Sequence, residues 1–177
     1  LRRLKCKMQE ALDKLAETII NNGLTVDACE YEFKQAKWTD AGNSVSLGSR
    51  ADMLLSDAEG GKVIFDFKYS RSKSRKTEVE ENRALQLEVY RYMAKQEFGK
   101  DTKVRVAYVL LPDVTILTAD EFDDIDAIKL KADRACADVI AEAARAYRFR
   151  WEQLKAGKIE RVEGCVPGIG EYASQID

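Results

Sequence analysis

At 177 residues, 45% hydrophobic and 34% charged, the chain is long enough to bury one good core, and its composition excludes disorder throughout. A formal net charge of −2 argues against a protein that coats nucleic acid by bulk basicity. The absence of any histidine removes Ser-His-Asp and Cys-His nucleophile systems and leaves metal-activated water as the simplest hydrolytic chemistry.

The first predicted element is an amphipathic helix over Leu1 to Asn22, with Leu4, Met8, Leu12, Leu15 and Ile19 as its core stripe and Gly23 as its stop. Thr25 to Lys37 alternates Val26, Ala28, Tyr31 and Phe33 and reads as the first strand, with Glu30 and Glu32 as exposed strand carboxylates. Ser44 to Ser56 reads as a second strand and Val63 to Lys68 as a third, joined by the turn-rich link Asp57-Ala58-Glu59-Gly60-Gly61. In the third strand Val63, Phe65 and Phe67 take one face while Ile64, Asp66 and Lys68 take the other.

A basic run follows directly: Lys68, Arg71, Lys73, Arg75 and Lys76, with no acidic residue among them. Phosphate contact and a solvated loop are equal readings of it. Thr77 to Phe98 is expected as one long helix ended by Gly99, with Gln86 and Tyr90 four apart on one face. Lys103 to Leu111 reads as a buried strand closed by Pro112, and Val114 to Leu117 as a further short one. After the acidic link Asp120 to Asp126, Ala127 to Leu154 reads as a long Ala-rich helix. The expected organisation is a single domain over 1–157 with a loosely ordered tail over 158–177.

A hairpin centred near Glu59 sets Asp52 opposite Asp66, where Cβ atoms are roughly 5 Å apart. Two like charges so close need a compensating cation or a shared proton, and a divalent metal is the natural inference. Lys68 would then hold a nucleophilic water or a scissile phosphate. Taken singly, Asp52, Asp66 and Lys68 read as surface residues. Asp66, however, interrupts an apolar strand, and a locally broken rule often marks a functional site.

These residues resemble the PD-(D/E)XK nuclease superfamily, in particular its RecB-like exonuclease branch, over roughly Gln9 to Leu111. Asp52, in Gly48-Ser49-Arg50-Ala51-Asp52, looks like the first motif aspartate, Asp66-Phe67-Lys68 like the (D/E)XK element, and Gln86-Leu87-Glu88-Val89-Tyr90 like the Gln-x-x-x-Tyr helix of that branch. Ala51 stands where the family name has proline.

The resemblance implies a restriction-endonuclease-like α/β fold, a mixed sheet flanked by helices in the core order αβββαβ, here with an extra long C-terminal helix. It implies metal-dependent hydrolysis of DNA, as an exonuclease in repair, recombination or processing. Asp52, Asp66 and the Phe67 carbonyl would hold Mg²⁺ or Mn²⁺, and Lys68 would act on water and phosphate. Gln86 and Tyr90 would steady the site and contact the strand, beside Arg71, Lys73, Arg75 and Lys76. The rival expectation is an inactive nuclease-fold module that binds nucleic acid or protein.

In that family the first helix often gives the metal a His or Glu. Here the alternatives are Gln9 as a weak neutral oxygen, Glu10 or Glu17 in a shifted geometry, or water. Some related nucleases hold an iron–sulphur cluster on one early and three late cysteines. Of Cys6, Cys29, Cys136 and Cys165 only Cys6 and Cys165 are roughly so placed, so no cluster is expected, and without a Cys-x-x-Cys the four read as free thiols. With no apolar run of about eighteen residues and no signal-peptide pattern, no membrane partner is expected and the cytoplasm is the default location. Because the chain starts without Met, a place among the domains or subunits of a larger helicase–nuclease is a further expectation.

Overall fold

The computed structural model describes residues 2–34, 37–40, 43–46, 48–131 and 135–158. The chain divides into two compact units, Leu1–Asp133 and Arg134–Asp177. Of the tail expected over 158–177, only Lys158 falls among the described residues.

In the first unit α1 (Arg2–Asn21) is followed by β1 (Thr25–Glu32), a hairpin of β2 (Lys37–Asp40) and β3 (Asn43–Ser46), then β4 (Arg50–Ser56) and β5 (Lys62–Lys68). Two helices, α2 (Ser72–Glu80) and α3 (Leu85–Phe98), lead to β6 (Val104–Leu110) and β7 (Thr115–Leu117). The main sheet has the order β1-β4-β5-β6-β7. Its neighbours are antiparallel except β5 and β6, which run parallel. A parallel pair needs a crossover, and α2 with α3 supplies it. This mixed sheet flanked by helices is the restriction-endonuclease-like fold.

Period-two alternation divides the core between two faces. Val63, Phe65, Ala107 and Val109 pack on one side with Leu15 of α1, while Ile64, Val106, Tyr108 and Leu110 pack on the other with Leu87, Tyr90 and Met93 of α3. Asp66 lies on this second face.

The α1 stripe differs from the predicted one. Ala11, Leu15 and Thr18 are buried, whereas Met8 is 44% and Leu12 50% exposed. Small Ala11 lets the helix approach the sheet, and the Thr18 hydroxyl is buried because it donates to Asp124 at 2.9 Å. A count of large apolar residues registers neither feature. Gly23, at φ +57, ends the helix in a Schellman turn, with Gly23 N–H bonded to the Ile20 carbonyl and Leu24 N–H to Ile19.

The predicted first and second strands are each divided, because the chain leaves the sheet to form the β2–β3 hairpin, whose Trp38 packs on Tyr92 of α3. The predicted Thr77–Phe98 helix is also two helices. Asn82, at φ +51, ends α2 in the same turn that Gly23 makes, with Asn82 N–H on Val79 and Arg83 N–H on Glu78. In the second unit α4 (Cys136–Lys155) begins later than the Ala127 start expected. Asp138 in its first turn and Lys155 in its last suit the helix dipole, and Val139, Ile140 and Ala146 are buried.

Candidate active site

The Asp57 carboxylate closes the β4–β5 turn by accepting from Glu59 N–H at 3.1 Å and Gly61 N–H at 2.7 Å. A Cβ at Gly61 would stand 2.5 Å from Asp57 Oδ2, so a side chain there would displace the carboxylate that closes the turn. The register the turn sets pairs Met53 with Phe65, the last pair of the ladder, and Asp52 and Asp66 are the next residue of each strand beyond it. There the backbone ladder stops. Asp52 Oδ2 accepts the Phe67 N–H at 2.6 Å, taking over a donor that β4 no longer satisfies. The N–H and C=O of one strand residue project to the same side, so the Phe67 carbonyl is turned toward Asp52, while the Lys68 carbonyl is held from the other side by Leu111 N–H.

Asp66 is 2% exposed. Its Oδ1 accepts from Gln86 Nε2 and from the Tyr90 hydroxyl, both at 3.0 Å. Tyr90 Oη is also 3.0 Å from the Arg50 carbonyl and receives Gln86 Nε2 at 3.0 Å, so α3 ties β5 to the start of β4. Asp66 Oδ2 is treated differently. Lys68 Nζ stands 2.7 Å away as an ion pair, at an angle that leaves this buried oxygen without a well-formed hydrogen bond.

Burial pushes the Asp66 carboxyl above its usual range, offset in part by Lys68 and Tyr90 and reinforced by the charge of Asp52. The Tyr90 phenol is pushed up to about 12, by burial first and then by Asp66. A carboxylate kept in so unfavourable a state suits a site that a cation completes. Asp52, Asp66 and the Phe67 carbonyl offer hard oxygen donors, the ligand chemistry of Mg²⁺ and Mn²⁺. Among the described residues no group of three or more His, Cys, Asp or Glu is placed to hold a metal, so carbonyl and water oxygens would make up the rest of the shell.

A family model described as the PD-(D/E)XK nuclease superfamily matches residues 1–166. The chain belongs to this superfamily. No curated protein and no solved structure gives a match. PD-(D/E)XK nucleases generally use divalent metals such as Mg²⁺, and DNA is the substrate the superfamily implies. The matched span contains Asp52, Asp66, Lys68, Gln86 and Tyr90, the five residues that the sheet and α3 gather at one place.

The other candidates are distributed differently. Gln9 is exposed and donates to Asp13 on its own helix at 2.9 Å; no bond among those described joins it to the carboxylates. Tyr90 is too enclosed, at 2% exposure, to stack on a base or touch a strand, so of its two expected roles only the steadying one fits. Arg71 and Lys73 are exposed at the start of α2. Lys76, itself exposed, stands 4.0 Å from Glu80. Arg75 donates to Glu78 at 2.7 Å and lies 5.4 Å from the Tyr108 ring centroid. Sequence reasoning missed Tyr108 and Glu78. Their signals were a lone tyrosine in an aliphatic buried strand and an acid three residues after Arg75 on a helix.

Proposed function

We propose that this chain is a metal-dependent deoxyribonuclease, an exonuclease of the RecB-like branch that trims DNA in repair, recombination or processing. The observation that carries the reading is the unequal treatment of the two Asp66 oxygens. Oδ1 is saturated by Gln86 and Tyr90, whereas among the described residues Oδ2 is buried against the Lys68 ammonium alone, and the charge of Asp52 acts on the same carboxyl. Leaving a buried charge half-satisfied costs stability, a cost that makes sense at a site built for a cation.

Asp52, Asp66 and the Phe67 carbonyl would hold Mg²⁺ or Mn²⁺, which when bound supplies water activation and neutralises the charge that develops on phosphate. Gln86 and Tyr90 keep Asp66 Oδ1 engaged, so Oδ2 is the oxygen presented. Lys68 orients the attacking water and a nonbridging phosphate oxygen with the ammonium that stands beside Asp66 Oδ2. Arg71, Lys73 and Lys76 add attraction for the backbone that weakens with salt.

The rival reading, an inactive module, takes its support from Gln9, which donates to Asp13 and which no bond among those described joins to Asp52 or Asp66. Single- and double-stranded DNA, linear and circular, incubated with Mg²⁺ or with EDTA separates the two. Cleavage with Mg²⁺ alone, confined to linear substrates, is the expected result. DNA that stays intact with Mg²⁺ and with Mn²⁺, yet is bound, supports the module instead.

A further inference from the structure

Resting on the nuclease reading, we propose that Arg75 is a second cationic group of the reaction centre, gripping a nonbridging oxygen of the DNA phosphate next to the scissile one, and that Glu78 is its positioning residue. The foundation is Tyr108. It pairs with Asp66 across the parallel β5–β6 ladder, and at 1% exposure its ring is fixed. Two cations from different elements meet this one ring. Lys68 Nζ from β5 lies 5.9 Å from its centroid and the Arg75 guanidinium from α2 5.4 Å.

Like charges gathered on one ring repel unless each has an anion. Lys68 has Asp66, and Arg75 has Glu78, a helical turn away at 2.7 Å. The Glu78 bond occupies one arm of a planar fork that carries five N–H donors. With its side chain 31% exposed, Arg75 can present the rest of that fork to solvent while the ring and Glu78 fix its direction. That geometry suits two oxygens of one phosphate.

Arg75 also sits on an anchored helix. Ser72 N–H, in the first turn of α2, donates to Asp113 at 2.6 Å, and the Glu80 carbonyl in the last turn accepts Lys131 N–H at 2.6 Å. Asp66 is close enough for its charge to act on Arg75, which puts the guanidinium within electrostatic range of the carboxylates. Among the described residues no ring lies under Lys73 or Lys76, and their contribution is diffuse attraction.

The test uses DNA strands carrying one neutral methylphosphonate at successive positions around the cleaved bond. Binding is read with Ca²⁺ and cleavage with Mg²⁺, for the wild type, Arg75→Ala, Arg75→Lys, Glu78→Gln and Lys73→Ala. In the wild type one position beside the scissile phosphate is expected to cost about ten- to a hundredfold when neutralised, the size of a lost charge-assisted hydrogen bond. Arg75→Ala should have lost that amount already and show no further loss at that position. Arg75→Lys should recover part of it, and Glu78→Gln should lower kcat/KM while the sensitive position stays where it was. Lys73→Ala should weaken all strands evenly. If Arg75→Ala keeps the wild-type profile of sensitivity, the proposal is overturned. A chain that cleaves nothing but still shows the Arg75-dependent position in binding removes the nuclease reading and leaves the phosphate contact standing.

Discussion

Two aspartate–lysine pairs stand at opposite ends of β5 at nearly the same separation. At its start Lys62 Nζ lies 2.8 Å from Asp27, and at its end Lys68 Nζ lies 2.7 Å from Asp66. Asp27 is about a third exposed and is met by the Ser56 hydroxyl as well as by Lys62. Burial is the largest single influence on its pKa and raises it, but those bonds and the lysine charge together outweigh it and the net shift is downward. Asp66 is buried, among the described residues its Oδ2 meets the Lys68 ammonium alone, and its net shift is upward, because burial is the larger effect there. An ion-pair distance therefore says little about purpose. Whether the carboxylate is left satisfied or wanting separates a staple from a candidate site.

Removing the lysine at each end gives the largest contrast. Lys68→Ala is expected to slow cleavage by roughly a hundredfold, the size seen when one positioned electrostatic group is lost, while Lys62→Ala leaves kcat unchanged. Equal losses from the two variants in a steady-state cleavage assay would erase the distinction between the ends.

A smaller effect sharpens the same comparison on the stability side. Asp27→Asn should lower stability by no more than about 1 kcal/mol near neutral pH, the range of a partly exposed ion pair, with cleavage unaffected. Because the folded-state pKa of Asp27 is depressed, its contribution is present above the unfolded carboxylate pKa and is lost as pH falls through the folded value. Chemical denaturation from neutral to acid pH should show the wild type and variant converging at the acid end.

Much of the candidate site was legible because it depends on local rules. The period of two in Val63–Lys68 and the turn closed by Asp57 determine a register that runs to Met53 and Phe65, which leaves Asp52 and Asp66 next along the two strands. Gln86 and Tyr90 were legible as a pair four apart on a helix. Tyr108 was not, since it comes from a strand that only the parallel crossover brings beside Asp66, about forty residues further along the chain. The α1 face was misjudged because Ala11 and Thr18 are buried for closeness and for a hydrogen bond rather than for apolar size. The break at Asn82 was missed because asparagine there performs the left-handed turn more often signalled by glycine.

On the proposed reading, Asp66 is held in an unfavourable state so that it can take a cation. Asp66→Asn tests it most directly, because the amide oxygen can still accept from Gln86 and Tyr90 while the buried charge is gone. The raised pKa means that ionised Asp66 costs stability near neutral pH, and that this cost shrinks as pH falls through the folded value and vanishes below the unfolded one. Metal-free Asp66→Asn should therefore melt at or above the wild type near neutral pH, with the difference closing in acid. Calorimetric titration of the same two proteins with Mn²⁺ is the deciding measurement: binding by the wild type and none by Asp66→Asn is the expected result. Equal Mn²⁺ binding by both would contradict the account.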